Sequence, residues 1–204
     1  QRVVTVAGTA RDTLTLSLAV ARPQLWSPAD PALYRVEVTL SEAGSGAPLD
    51  HFSQKYGFRW FELDEDRQFL LNGEPLQLIG TCRHQDHPDF GSALPNARHR
   101  QDVALIKAMG GNFLRTSHYP HDPAVYEACD ELGILVWTEI PIVNSTTVSD
   151  SFRLVSTRML EEMIAQHRNH SSVIMWGIAN EVLLRLSNGL RDNPQLEETA
   201  YLDS

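Results

Sequence analysis

Val173-Ile174-Met175-Trp176-Gly177-Ile178-Ala179-Asn180-Glu181 is an apolar run that closes on an amide and a carboxylate. Such a run, with no polar alternation, marks a strand whose sheet is covered on both faces, as in a parallel sheet. The spacing predicts a strand over 173–178, and three earlier stretches of the same form predict strands over 76–80, 112–115 and 134–137. Between them, helical spacing is expected over 97–109, 123–132 and 152–168, with Gly110 and Gly133 as C-terminal caps. A further helix is expected from Asn193, with Pro194 near its start and Glu197 and Glu198 in its first turns. Strand and helix in regular alternation imply a parallel sheet.

A parallel sheet can be doubly wound or closed into a barrel, and the polar residues at the strand ends decide between them. The first strand runs into Arg83-His84-Gln85-Asp86-His87, the second into Arg115, Ser117, His118 and Tyr119, the third into Glu139 and the fourth into Asn180-Glu181. Polar groups gathered from the C-terminal ends of several strands are how a (β/α)₈ TIM barrel builds its active site. A nucleotide-binding doubly wound sheet would place a glycine-rich loop after its first strand, and none is present there. A full barrel takes about 250 residues and only about 130 follow Leu76, so the chain is expected to hold the first half of one.

The N-terminal third follows a different rule. Apolar and polar residues alternate over 3–7, 14–20, 34–40 and 51–56, the signature of half-buried antiparallel strands in a β-sandwich. Pro28 and Pro31 interrupt that rhythm, and residues 41–46 read as a hairpin loop. Asn72-Gly73 then marks a tight hairpin within 69–76, because both residues tolerate positive φ.

The 204 residues are 42% hydrophobic and 21% charged, an ordinary globular composition that excludes disordered and collagen-like classes. A net charge of -9 argues against nucleic acid, which needs clustered Lys and Arg. No apolar run approaches the roughly 18 residues that cross a bilayer, so no membrane partner is expected. The first residues lack a signal-peptide pattern, and the start is expected to be internal to a longer protein. Cys82 and Cys129 are too few for a disulfide framework, and both are expected to be small buried residues. Association with a second copy of the chain, as a homo-oligomer, is compatible with the sequence.

Several stretches together resemble glycoside hydrolase family 2, which contains β-galactosidases, β-glucuronidases and β-mannosidases. Leu25-Trp26-Ser27-Pro28 through Leu33-Tyr34 is similar to that family's immunoglobulin-like domain, and Gly57-Phe58-Arg59 to its junction with the barrel. More specific are Arg115-Thr116-Ser117-His118-Tyr119-Pro120, Cys129-Asp130-Glu131-Leu132-Gly133, and Arg168-Asn169-His170-Ser171 leading to Trp176-Gly177-Ile178-Ala179-Asn180-Glu181. The resemblance divides the chain into part of an immunoglobulin-like sandwich over 1–57 and the N-terminal half of the barrel over 58–204.

What the resemblance implies is a retaining exo-β-glycosidase, β-galactosidase-like, acting on a terminal β-linked sugar of a β-glycoside or oligosaccharide; β-glucuronidase and β-mannosidase are the alternatives. In such enzymes one carboxyl protonates the leaving oxygen and a second, about 5 to 5.5 Å away, attacks the anomeric carbon. The acid/base carboxyl maps onto Glu181, with the nucleophile expected beyond Ser204, so the fragment alone is expected to be inactive. A partly desolvated barrel mouth and a neighbouring carboxylate would both raise the Glu181 pKa. Asn180 would hydrogen-bond the sugar 2-hydroxyl, and His84, Asp86 and His118 are candidates for other hydroxyls. Glu139 is expected to hydrogen-bond sugar or Glu181.

Each of these residues also has a plainer reading. A glutamate at a helix N-terminus is favoured by the macrodipole alone, and His84, Asp86 and His118 could tie loops together. Arg83 and Arg115 stand near the site or pair with a barrel carboxylate for structure; Trp137 and Trp176 are expected to pack. His84 and His87 with Asp86 lack a third ligand at zinc spacing. Some family β-galactosidases bind magnesium through the carboxylate after strand three and a histidine two residues later. Here that position is Pro141, which cannot ligate, so no metal and no cofactor is expected. A reading from another class is a non-catalytic carbohydrate-binding or structural module.

Overall fold

The computed structural model describes residues 13–182. Within them β1 (Tyr34–Ser41) and β2 (Pro48–Tyr56) form an antiparallel pair in register from Tyr34 opposite Tyr56 to Ser41 opposite Pro48. Alternation places Val36, Val38, Leu40 and Phe52 on one face. Residues 14–20, expected as a strand, form none: Leu16 and Leu18 stand 57% and 86% exposed. The strand expected over 3–7 and the helix expected from Asn193 lie outside the described residues.

β3 (Phe61–Leu63), β4 (Phe69–Leu71) and β5 (Glu74–Pro75) make a three-stranded antiparallel sheet. Its tight turn is Asn72-Gly73, with φ of 57° and 86°, the doubly positive geometry that this dipeptide tolerates.

The remaining strands, β6 (Gly80–Arg83), β7 (Phe113–Thr116), β8 (Leu135–Glu139) and β9 (Val173–Gly177), are all parallel and lie in sequential order. Each connection holds a helix: α1 (Asn96–Ala108), α2 (Pro123–Leu132) and α3 (Asp150–His167). Sequential parallel order is that of a barrel wall, whereas a doubly wound sheet reverses direction at a switch point. Asp122 caps α2 by accepting from the Ala124 amide, and Ser149 caps α3 by accepting from that of Phe152. Gly133 ends α2 at φ 70°, where a Cβ would also meet the Pro28 oxygen at 2.7 Å, so only glycine suits both turn and contact.

The first barrel strand begins at Gly80 rather than Leu76. The Asn112 side chain takes over the preceding backbone, accepting from the Ile79 amide at 2.7 Å and donating to the Gln77 carbonyl at 2.8 Å. Leu76 and Leu78 turn instead into an apolar cluster with Trp26, Leu135 and Ile174. A second core, with Val103, Ile106, Leu114, Val125, Tyr126, Ile134 and Val136, seals α1 and α2 onto the sheet.

The N-terminal segment is fastened to the N-terminal ends of β8 and β9. Trp26, fully buried, donates from Nε1 to the Asp130 carbonyl at 2.8 Å. Gly57 N–H donates to Ser171 Oγ at 2.6 Å, and the Arg59 guanidinium donates to the carbonyls of Ser171 and Val173. Asp130 closes the latch by accepting from the Ser172 amide at 2.7 Å, with His170 Nδ1 2.6 Å from its other oxygen. Each of these contacts lies at the end of the sheet opposite the polar strand ends, which the described residues leave open. Cys129 is buried as expected, but Cys82 is exposed, because it lies on the sheet face opposite the helices and β6 is an edge strand here.

Candidate active site

Period-two alternation sends Arg115, Trp137 and Glu139 to the sheet face away from the helices. Glu139 is fully buried and is engaged on both oxygens: Arg115 Nε donates to Oε1, and His118 Nδ1 lies 3.1 Å from Oε2. His118 Nδ1 also lies 3.4 Å from Arg115 Nη2, so it sits between the guanidinium and the carboxylate and leaves Nε2 for a ligand. Among the described residues the Glu139 carboxylate thus meets side chains of β7 and of the loop that follows it. Its charge in turn holds the Arg115 pKa above the ordinary arginine value, chiefly through the hydrogen bond between them.

Arg115 lies over the Trp137 ring, with its guanidinium carbon 4.6 Å from the ring centroid. Trp137 is thus more than packing. The guanidinium also donates from Nη2 to Asn180 Oδ1 at 2.8 Å. With Oδ1 taken, Asn180 has its amide N–H groups to offer. The backbone of Asn180 is pinned as well: its N–H donates to the Ile142 carbonyl, and its carbonyl accepts from Asn144 N–H.

Glu181 follows at φ 52° and is exposed. The left-handed turn separates it from buried Asn180. Among the described residues Glu181 stands exposed just past the end of β9, not in the partly desolvated position expected from the sequence. His84 and Asp86 are also exposed, and the rings of His84 and His118 meet edge to face at 5.2 Å. The sheet therefore brings His84, His118, Glu139, Arg115 and Asn180 to one end, with Glu181 next in sequence.

Arg83, in contrast, alternates to the helix side. It is buried, donates to Asp102 Oδ2 from Nε at 2.9 Å and from Nη2 at 2.7 Å, and approaches His99 Nδ1 at 3.0 Å and His121 Nδ1 at 3.2 Å. Desolvation, with the Arg83 charge next, lowers the pKa of both histidines, that of His121 to about 3. The sequence reading overlooked His99, Asp102 and His121. Strand parity was the available signal, since adjacent Cys82 and Arg83 must face opposite ways.

His87 Nδ1 accepts from the Asp89 amide at 3.1 Å, which makes it part of its own turn. Among the described residues no three His, Cys, Asp or Glu side chains gather as a metal would require, and no helix is long and apolar enough to cross a membrane. An apolar groove of about 700 Å³ beside α3, lined by Ile140, Ile142, Phe152, Leu160 and Val182 among others, does not coincide with the polar cluster.

This geometry has close counterparts. Residues 62–194 match the model of the TIM barrel domain of glycosyl hydrolases family 2, and residues 1–59 match a second model of that family. The chain belongs to glycoside hydrolase family 2. A crystal structure of Bacteroides uniformis β-glucuronidase superposes with a TM-score of 0.82 at 46% identity, covering 87% of this chain and 21% of that one. A β-glucuronidase of Bacteroides fragilis is 39% identical over 82% of this chain and 25% of its own length. A β-galactosidase of Thermoanaerobacter pseudethanolicus is 37% identical over 86% of this chain and 23% of its own length. The chain thus spans a quarter or less of these relatives' length. Within the family frame, Trp26, Asp130 and His170-Ser171 belong to the latch, whereas Arg115, His118 and Asn180 belong to the open end.

Proposed function

We propose that this chain supplies the acid/base side of the active site of a retaining exo-β-glycosidase, with a terminal β-glucuronide as first substrate and a β-galactoside as second. The observation that carries the reading is the Glu139–Arg115–Asn180 chain, anchored on a fully buried carboxylate, which fixes an amide donor beside Glu181 at the strand ends. Glu181 protonates the glycosidic oxygen as a second carboxylate, from a later strand, attacks the anomeric carbon; it then removes a proton from the water that releases the sugar. Closure of the barrel by later strands would supply the desolvation and neighbouring charge that keep Glu181 protonated. Asn180 donates to the 2-hydroxyl, His118 meets another hydroxyl through Nε2, and His84 and Asp86 meet further hydroxyls. Glu139 orients Arg115 and His118. Support for the glucuronide comes from the names of relatives at 39% and 46% identity and from Pro141 at the position of a magnesium-binding histidine; the galactoside rests on the relative at 37%.

The test is hydrolysis of aryl β-glucuronide, galactoside, mannoside and glucoside by the full-length protein containing this chain. Turnover of one sugar, abolished with poor leaving groups by Glu181→Gln, is the expected result. No turnover of any of them would overturn it.

A further inference from the structure

His84 and His118 lie on separate loops, after β6 and β7, yet each is flanked on both sides by a residue bonded to the other loop. Before them stand Arg83 and Ser117, joined directly where Ser117 N–H donates to the Arg83 carbonyl at 3.0 Å. They are joined again through His121. Its Nδ1 lies 3.2 Å from Arg83 Nη1 and its Nε2 lies 3.4 Å from the Ser117 carbonyl. A guanidinium only donates, so Nδ1 accepts, and the single ring proton of neutral His121 sits on Nε2, directed at Ser117. After the two histidines stand Gln85 and Tyr119: Gln85 N–H donates to the Tyr119 hydroxyl at 2.9 Å. Gln85 Oε1 accepts from the Asp122 amide at 2.7 Å, a third link between the loops.

From this we propose that Arg83, His121 and Gln85 are positioning residues that set the spacing of His84 and His118 for contact with the flattened sugar of the transition state. The proposal rests on the reading of His84 and His118 as sugar contacts. None of the three touches substrate. Arg83 is anchored from behind by Asp102 and by His99 Nδ1, so its own position is over-determined. Polar groups hydrogen-bonded between two loops transmit position because displacing one loop leaves a bonded group of the other unpaired.

The experiment uses the full-length protein and compares His121→Leu, His121→Asn and Gln85→Ala with His84→Ala and His118→Ala. The readouts are kcat, KM, and inhibition by a glyconolactone, whose flattened ring mimics the transition state, against inhibition by the free sugar. Asn restores an acceptor close to the place of Nδ1. His121→Leu and Gln85→Ala are expected to weaken the lactone about tenfold more than the free sugar and to lower kcat more than they raise KM, with His121→Asn within about threefold of wild type. Unchanged lactone inhibition in His121→Leu and Gln85→Ala, or equal loss for lactone and sugar, would overturn the proposal. Should His121→Leu fail to fold, Gln85→Ala decides alone. Unchanged lactone inhibition in His84→Ala and His118→Ala would instead overturn the underlying site reading.

Discussion

Arg115, on β7, reaches across β8 and donates from Nη2 to Oδ1 of Asn180, 2.8 Å away beyond the end of β9. That single contact decides which end of the Asn180 amide is left for a ligand, and it makes the two roles of the residue separable. Asn180→Asp keeps the acceptor for Arg115 and removes the donor. Its melting temperature is expected to stay within a few degrees of wild type while kcat/KM falls about a hundredfold. A matching fall in stability would assign Asn180 to structure alone.

Arg115→Met strands the fully buried Glu139 carboxylate without its cation. Urea unfolding is expected to show a loss of about 3 to 5 kcal/mol. Adding Glu139→Gln should recover part of the stability and none of the activity, because removing the buried charge does not restore the guanidinium.

Glu181→Gln separates substrates by leaving group. Hydrolysis of alkyl glycosides, which need protonation, should collapse by three or more orders of magnitude, roughly, while activated aryl glycosides retain most of their glycosylation rate. Equal loss on both would contradict the acid role.

Acid should unfold this region early. His121 and His167 are both buried, and desolvation holds their pKa values at about 3 and about 4, below the ordinary 6.5. Below about pH 6.5 the unfolded chain takes up protons that the folded chain refuses, so stability falls with pH until the folded pKa is reached. Each histidine contributes a slope of at most about 1.4 kcal/mol per pH unit in that window. Urea midpoints between pH 7 and pH 4.5 measure it, and His167→Phe should flatten the curve.

Trp26→Phe tests the latch. It keeps an aromatic ring in the cluster with Leu135 and Ile174 but loses the Nε1–H bond to the Asp130 carbonyl. A cost of about 1 to 3 kcal/mol is expected, against about 3 to 5 kcal/mol for Trp26→Ala.

The barrel wall was readable because its strands are uninterrupted apolar runs and its helices carry caps such as Asp122 and Gly133. The start of β6 was not, since an Asn112 amide that replaces strand hydrogen bonds leaves no periodic trace. Residues 14–20 misled for the opposite reason: alternation records what a strand could bury, and Leu16 and Leu18 stand exposed. At the site, Asn180 and His118 were visible as polar residues ending apolar runs, and the structure brings both to the Arg115 guanidinium. The burial of Glu139 and the turning of Arg83 toward α1 depended on side-chain direction within a strand. Counting parity from Cys82 gives that direction only once the strand limits are known.

Gly177 is the one inward position on β9 with no side chain, and a Cβ there would lie 2.4 Å from Trp137 Nε1 and 2.7 Å from Glu139 Cγ. It works as a spacer of zero thickness between two strands of the wall. A methyl group would push β9 outward, and with it Asn180, whose distance to Arg115 is short enough to break on a small shift. The tolerance of this site to sequence change is therefore governed by a residue with no chemistry of its own, three positions upstream of the amide it keeps in place.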